Sequence, residues 1–264
     1  VVDREVLEGG VGNAGLVVRT GDRVSRPAGP HSATIQSLLR YVRASGFDGV
    51  PEPLGVDGHG REWLRYVPGD VPCPPYPDWS LTDDALASVA ALLRRYHDAT
   101  KGFEGRGDQT WDLEMAGAAG GEVICHHDVC LENVVFRDGE AVAFLDFDFA
   151  APGTRTWDIA SFARMCVPID SPEDAARTGR GGGDPFRRLR VVADAYGLPP
   201  DRSEVVDLLR MQTSAGGWFV KRRVDAGDEA FTRVWDESGG AQRYDRRRDW
   251  FEAHRQQFLE ELHN

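Results

Sequence analysis

The chain has 264 residues, 41% hydrophobic and 28% charged, long enough to bury a real core in one large domain or two modest lobes. Its net charge of −12 argues against nucleic acid as a partner, because phosphate binding needs a basic face. No apolar run approaches a membrane span, no signal peptide is visible, and the four cysteines (73, 125, 130, 166) lack CxxC pairing, so a reduced, cytoplasmic protein is expected.

Residues 1–26 read as a small sheet. Val6-Leu7 leads into Glu8-Gly9-Gly10-Val11-Gly12-Asn13-Ala14-Gly15, followed by Leu16–Arg19, a turn at Thr20-Gly21-Asp22, and a strand ending at Arg26. A Gly-rich turn between strands either cradles a phosphate on its backbone N–H groups, which singles out Gly10, Gly12 and Asn13, or is a plain hairpin. Arg26 is either a phosphate ligand or a surface arginine at a strand end. A helix is predicted over Ser32–Ser45 from the apolar stripe Ile35, Leu38, Leu39 and Val42. Its polar face carries His31, Gln36 and Arg40 and no acid. Pro53–Val56 and Glu62–Val67 read as strands around Asp57-Gly58-His59-Gly60. Pro68-Gly69 and the Pro-rich 71–78 then break the chain.

Ser80-Leu81-Thr82-Asp83 reads as a capping box for a helix with Ala85, Leu86, Val89, Leu92, Leu93 and Tyr96 on one face. His97, at its end, reads as a packing or helix-dipole residue. Gly102–Gly121 is a loop with a short helical turn near Trp111–Met115. Further on, a helix starts at Thr156-Trp157-Asp158, residues 170–185 read as a mobile loop, and helices are predicted at about 186–196, 203–225 and 242–262. Arg243, Arg246, Arg247 and Arg248 read as a solvated face pairing with Asp245 and Asp249.

The stretch Cys125–Gly153 carries the chemistry. Val123–Cys125 is a short apolar strand, and His126–Asn133 a loop dense in titratable groups. Val134–Phe136 and Val142–Leu145 flank Asp138-Gly139, a strong hairpin signal. Antiparallel pairing brings Asn133 and Asp146 to one end of the hairpin, beside Asp128 on the feeding loop. Two carboxylates and a carboxamide suit Mg²⁺ shared with phosphate oxygens.

The pattern His126-x-Asp128-x-x-x-x-Asn133, a hairpin, Leu145-Asp146-Phe147 and a later Trp157-Asp158 resembles the aminoglycoside phosphotransferase and choline kinase superfamily, nearest to its trifolitoxin immunity-type branch. The resemblance implies an α+β, bilobal protein-kinase-like fold, with a β-rich nucleotide-binding lobe at 1–67 and a helical catalytic lobe at 68–264. It implies Asp128 as catalytic base with His126 orienting the loop, and Asn133 and Asp146 as metal ligands. Leu64, Tyr66 and Val67 would line the adenine of ATP or GTP, and Asp158 would brace the catalytic loop. The lysine of the family's third strand is missing, since Lys occurs only at 101 and 221, and Arg26 is its positional substitute. The usual helix Glu partner is missing too. His127 and Asp148 are left without assigned roles. The implied partner is a nucleotide with a small hydroxylated acceptor, and aminoglycoside inactivation fits the acidic balance. Two other readings stand beside it. One is a zinc or metal phosphohydrolase centre on Cys125, His126, His127, Asp128 and Cys130. The other is a non-catalytic nucleotide-binding immunity protein.

Overall fold

The computed structural model describes residues 4–7, 15–104, 109–117 and 120–264. The chain begins with β1 (Arg4–Val6), β2 (Val18–Thr20), β3 (Arg23–Pro27), α1 (Ser32–Ala44), β4 (Pro53–Val56) and β5 (Arg61–Arg65). These strands form one antiparallel sheet in the order β1-β2-β3-β5-β4. Its register sets Val24 opposite Leu64 and Arg26 opposite Glu62. Because side chains alternate along a strand, those four share one sheet face. α1 buries Ile35, Leu38, Leu39 and Val42, the stripe its period predicts.

The rest comprises α2 (Asp83–Thr100), β6 (Val123–Cys125), β7 (Val134–Arg137), β8 (Glu140–Phe144), β9 (Ala151–Gly153), α3 (Arg155–Cys166), α4 (Pro172–Arg177), α5 (Pro185–Tyr196), α6 (Glu204–Asp225), α7 (Glu229–Ser238) and α8 (Gly240–Leu262). The chain is therefore of mixed α+β class. One apolar core runs through it, with Leu38, Leu93, Phe136, Phe162, Leu189 and Phe258 all shut off from solvent. No helix among the described residues is long and apolar enough to cross a membrane.

Several local expectations shift. The cap of α2 is Thr82, whose side chain accepts from the Ala85 N–H, because residues 78–81 close a 3₁₀ turn and move the start by two positions. α4 lies within the segment read as a loop, and α7 was not foreseen. Both are short, and each begins on a side-chain cap, Ser171 and Asp228 respectively. The described residues of 102–121 contain no helical turn near Trp111. The 243–248 run is not a solvated face as a whole. Arg248 does pair with Asp245 and Asp249, but Arg243 and Arg247 are buried against Asp170, and Arg246 pairs with Asp174.

The hairpin forms as its Asp-Gly signal predicts. β7 pairs with β8 around a two-residue turn in which Asp138 and Gly139 have φ of 53° and 83°. The Leu145 N–H donates to the Asn133 carbonyl at 2.8 Å, which extends the pairing to the residues flanking both strands. Asp70 makes a two-way backbone bridge with Phe136, so the segment after Pro68 is pinned along β7. Gly69 permits this approach. Its φ is 147°, and a Cβ there would sit 2.5 Å from the Phe136 carbonyl oxygen.

A buried polar knot ties the loop at residues 126–133 to α2, α3 and α5. The Asp158 carboxylate accepts the backbone N–H of His126 at 2.7 Å and of His127 at 2.8 Å. It also lies 2.9 Å from His97 Nε2, and His97 Nδ1 lies 2.7 Å from the Tyr196 hydroxyl. Arg155 donates to that hydroxyl at 2.9 Å. The partners define one consistent donor chain, Arg155 to Tyr196 to His97 to Asp158. His97 is thus a core network residue rather than a helix-dipole residue. The α3 cap is Thr154, so the Asp158 carboxylate is left to hold the loop. Burial alone would raise the Asp158 carboxyl; the His97 hydrogen bond, with the loop N–H groups, reverses that and holds it well below the usual carboxylate range.

Two outcomes follow from these contacts. Asp158→Ala should destabilise the chain by about 3–5 kcal/mol in urea unfolding, because it strands His97 and two buried N–H groups. In the parent protein the Asp158 contribution is present above the unfolded-state pKa of about 4 and is lost as pH falls below it, since the unfolded chain takes up a proton the folded carboxyl refuses. A stability curve flat from pH 5 to pH 2 would contradict this. Gly69→Val should lower stability by about 1–3 kcal/mol, read as a fall in Tm, through clash and a forced positive φ.

Candidate active site

The open end of the hairpin collects the hard oxygen donors. Asn133 Nδ2 donates to the Asp128 carbonyl at 2.9 Å and to Asp128 Oδ2 at 3.0 Å. Its amide is therefore turned so that the carboxamide oxygen is the group left for a cation. Asp146, one residue beyond the Leu145–Asn133 bond, has φ of 53°, a conformation uncommon for a residue with a side chain. Withdrawal from water raises the Asp128 carboxyl, and the Asp146 charge adds to the rise; His126, Arg164 and the Asn133 bond oppose it.

His126 is buried and braces this loop. Its Nε2 lies 2.9 Å from the Leu145 carbonyl, and its Nδ1 accepts the Asp128 N–H at 3.3 Å. Those partners fix the Nε2–H tautomer and leave no ring nitrogen to meet a substrate. His127 holds φ of 64° with its carbonyl bonded to Ser161 Oγ at 2.8 Å. Its ring is buried beside Gly153 of β9, and burial pushes its pKa down.

Arg26 crosses from the N-terminal sheet to the hairpin. Its Nε donates to Glu62 at 2.8 Å, Nη1 to Asp146 at 2.9 Å and Nη2 to Asp148 at 2.6 Å. The residue is 8% exposed, so it is no surface arginine. Burial alone would lower its pKa, but Asp146, Asp148 and Glu62 outweigh this and hold it charged. Sequence reasoning found no acid on α1 to partner this cation, and the structure supplies one from elsewhere. Glu62 sits directly across from Arg26 on β5, fully buried. The α1 position is filled by Gln36, which donates to Glu62 at 2.9 Å and accepts the Gly55 N–H at 3.0 Å. Glu62 was missed because an acid in a strand normally reads as a solvent-facing position. Only the β3–β5 register shows its role.

The remaining sequence-predicted residues divide. Leu64 lies on the same sheet face as Arg26 and Glu62. Tyr66 and Val67 are half-buried beyond the end of β5, and the Tyr66 ring is covered by the Arg19 guanidinium at 3.8 Å. Gly10, Gly12 and Asn13 lie outside the described residues. The zinc-type set Cys125, His126, His127, Asp128 and Cys130 does not converge. Among the described residues the one group of metal-type ligands within reach of each other is His97, Cys125 and Asp158. There Asp158 is already engaged by its loop and histidine bonds, and the Cys125 thiol faces the Thr154 carbonyl at 3.3 Å.

The hairpin-end site does fit a divalent cation. Its donors are carboxylate and carboxamide oxygens, and Arg26 faces three carboxylates with a single positive charge.

Residues 108–192 match the phosphotransferase enzyme family. The trifolitoxin immunity protein of Rhizobium leguminosarum bv. trifolii is 33% identical over 193 residues, which span 71% of this chain and 72% of that protein. A choline/ethanolamine kinase family protein from Mesorhizobium loti superposes with a TM-score of 0.65 at 18% identity, covering 99% of this chain and 92% of that one. The GDP complex of aminoglycoside 2'-phosphotransferase-IIIa gives a TM-score of 0.56 at 13% identity, over 99% and 93%. The fold is thus shared with small-molecule kinases, and by its sequence the chain belongs to the phosphotransferase enzyme family, alongside trifolitoxin immunity protein.

Proposed function

We propose that the protein is a Mg²⁺-dependent phosphotransferase that moves the γ-phosphoryl group of ATP or GTP to a hydroxyl of a small molecule. The observation that carries this reading is the Arg26 bridge. It joins the strand expected to face nucleotide to Asp146 at the hairpin end, where Asp128 and Asn133 are hydrogen-bonded to each other. In this reading residues 1–67 hold the nucleotide and 68–264 hold the acceptor, with Pro68-Gly69 between them. Leu64 and Val67 border the base, and Arg26 grips phosphate oxygens through its planar fork. Asn133 and Asp146 hold the metal, which supplies neutralisation of phosphate charge. Asp148 shares the Arg26 fork and balances it while no phosphate is present.

The acceptor oxygen forms a bond to phosphorus as the bond to the nucleoside diphosphate breaks. Asp128 accepts the hydroxyl proton and orients the attacking oxygen. His126 and Asp158 keep Asp128 in place without touching substrate. Antibiotic inactivation in the cytoplasm is the physiological role we attach to this chemistry. A second reading, nucleotide binding without turnover in an immunity role, is favoured by the 33% identity to an immunity protein.

The deciding experiment is Mg²⁺-dependent nucleotide turnover across a panel of hydroxylated acceptors. Asp128→Ala should lower kcat by about 10²–10⁴-fold while nucleotide still binds. Binding that is intact in the parent chain with no turnover on any acceptor would favour the immunity reading. Arg26→Lys keeps the charge but loses the fork. It should weaken nucleotide binding on the order of tenfold and also lower Tm, since one ammonium cannot serve Glu62, Asp146 and Asp148 at once. Unaltered affinity in Arg26→Lys would remove Arg26 from the phosphate site.

A further inference from the structure

The net charge of the chain suggests a cationic acceptor, yet the cleft beside the catalytic-type loop has the opposite sign. α3 passes this loop with Ser161 bonded to the His127 carbonyl, and one turn later on the same face it presents Arg164. Arg164 is 8% exposed, and its guanidinium has no hydrogen bond or ion pair among the described residues. Its charge is felt at Asp128, and that of Asp128 at Arg164. The guanidinium fits because α6 has Gly216 there; a Cβ would stand 2.6 Å from Arg164 Nη1.

Three more arginines complete the lining. Arg180, Arg243 and Arg247 share with Arg164 and Tyr244 a cleft of about 150 Å³. Asp170 is the carboxylate that pairs with Arg243 at 3.1 Å and Arg247 at 3.5 Å, and Arg247 also donates to the Ile169 and Arg164 carbonyls. Arg180 donates to the Met165 carbonyl. The Nε atoms of Arg164, Arg180 and Arg243 are buried without a partner. Docking of α8 accounts for Arg243 and Arg247. It does not account for Arg164, whose burial lowers its own pKa and returns no contact. A buried cation left unpaired costs stability unless a ligand completes it.

We propose that this cleft is the acceptor subsite and that it takes a small hydroxylated molecule bearing an oxyanion group, a carboxylate or a phosphate. The oxyanion sits on Arg164, flanked by Arg180 and Arg243, and the hydroxyl faces Asp128. This rests on the phosphotransferase reading for the role of the site, but its charge preference can be measured independently of turnover.

The test is calorimetric titration of the full chain with glycerate, glycerol 3-phosphate and choline, with and without saturating MgADP. MgADP binding, and its loss in Asp146→Asn, tests the phosphotransferase reading separately. At least one of the two anions should bind in both conditions and choline should not, which also separates carboxylate from phosphate as the preferred group. Arg164→Gln should weaken anion binding at least tenfold, with part restored in Arg164→Lys. Arg164→Gln should also raise Tm by about 2–4 °C, because it removes an unpaired buried charge. Choline binding in place of the anions, no binding of either anion, or anion affinity unchanged in Arg164→Gln with a lowered Tm would each overturn the proposal.

Discussion

Asp158 is the constraint on which the site's shape depends. A single carboxylate receives two consecutive backbone N–H groups of the loop and the ring of His97 in one dry volume. Immediately past these two N–H groups the chain turns, and His127 makes that turn at a positive φ. The turn aims Asp128 toward the hairpin end. The cost of the turn and of the buried charge is offset by the density of hydrogen bonds, which reach α2, α3 and α5. The loop is thereby held by three helices rather than by its own short length.

A second dependence runs through the sheet. Arg26 and Glu62 are cross-strand neighbours, so their pair is set by β3–β5 register rather than by the placement of a helix. α1 contributes only the neutral Gln36 as a brace. A helix shift could disturb that brace, but it would not separate the ion pair. The arrangement is preorganised by the same backbone bonds that form the sheet.

Much of this was legible in the sequence because it is local. Asp138-Gly139 between β-branched and aromatic runs dictates the hairpin, and the hairpin dictates that Asn133 and Asp146 meet. The α1 and α2 stripes follow from the helical period. What escaped is non-local or depends on burial. Glu62 looks like any strand acid until its register with Arg26 is known. His97 ends a helix, where a dipole role is the ordinary reading, and its partner lies 61 residues away. Arg243 and Arg247 sit among acids at helical spacing, so the sequence favours surface pairs, whereas their carboxylate is Asp170 on another segment. For α7 a signal was present, with Phe231, Val234 and Trp235 at helical spacing between the Asp228 cap and Gly239, and it was overlooked.

The bridge between Asp70 and Phe136 has a consequence for motion. Arg137 Nε holds the Pro68 carbonyl at 2.9 Å, and the Tyr66 N–H donates to the Asp22 carbonyl, in the turn between β2 and β3 of the sheet, at 2.9 Å. The chain is thus clamped to the hairpin on one side and to the sheet on the other, with Val67 between the two clamps. Proline fixes its own φ, so the soft torsions left in that span number only a handful. What freedom this connection leaves between the sheet and the hairpin lies in those few torsions, which makes it a short splice rather than a slack tether.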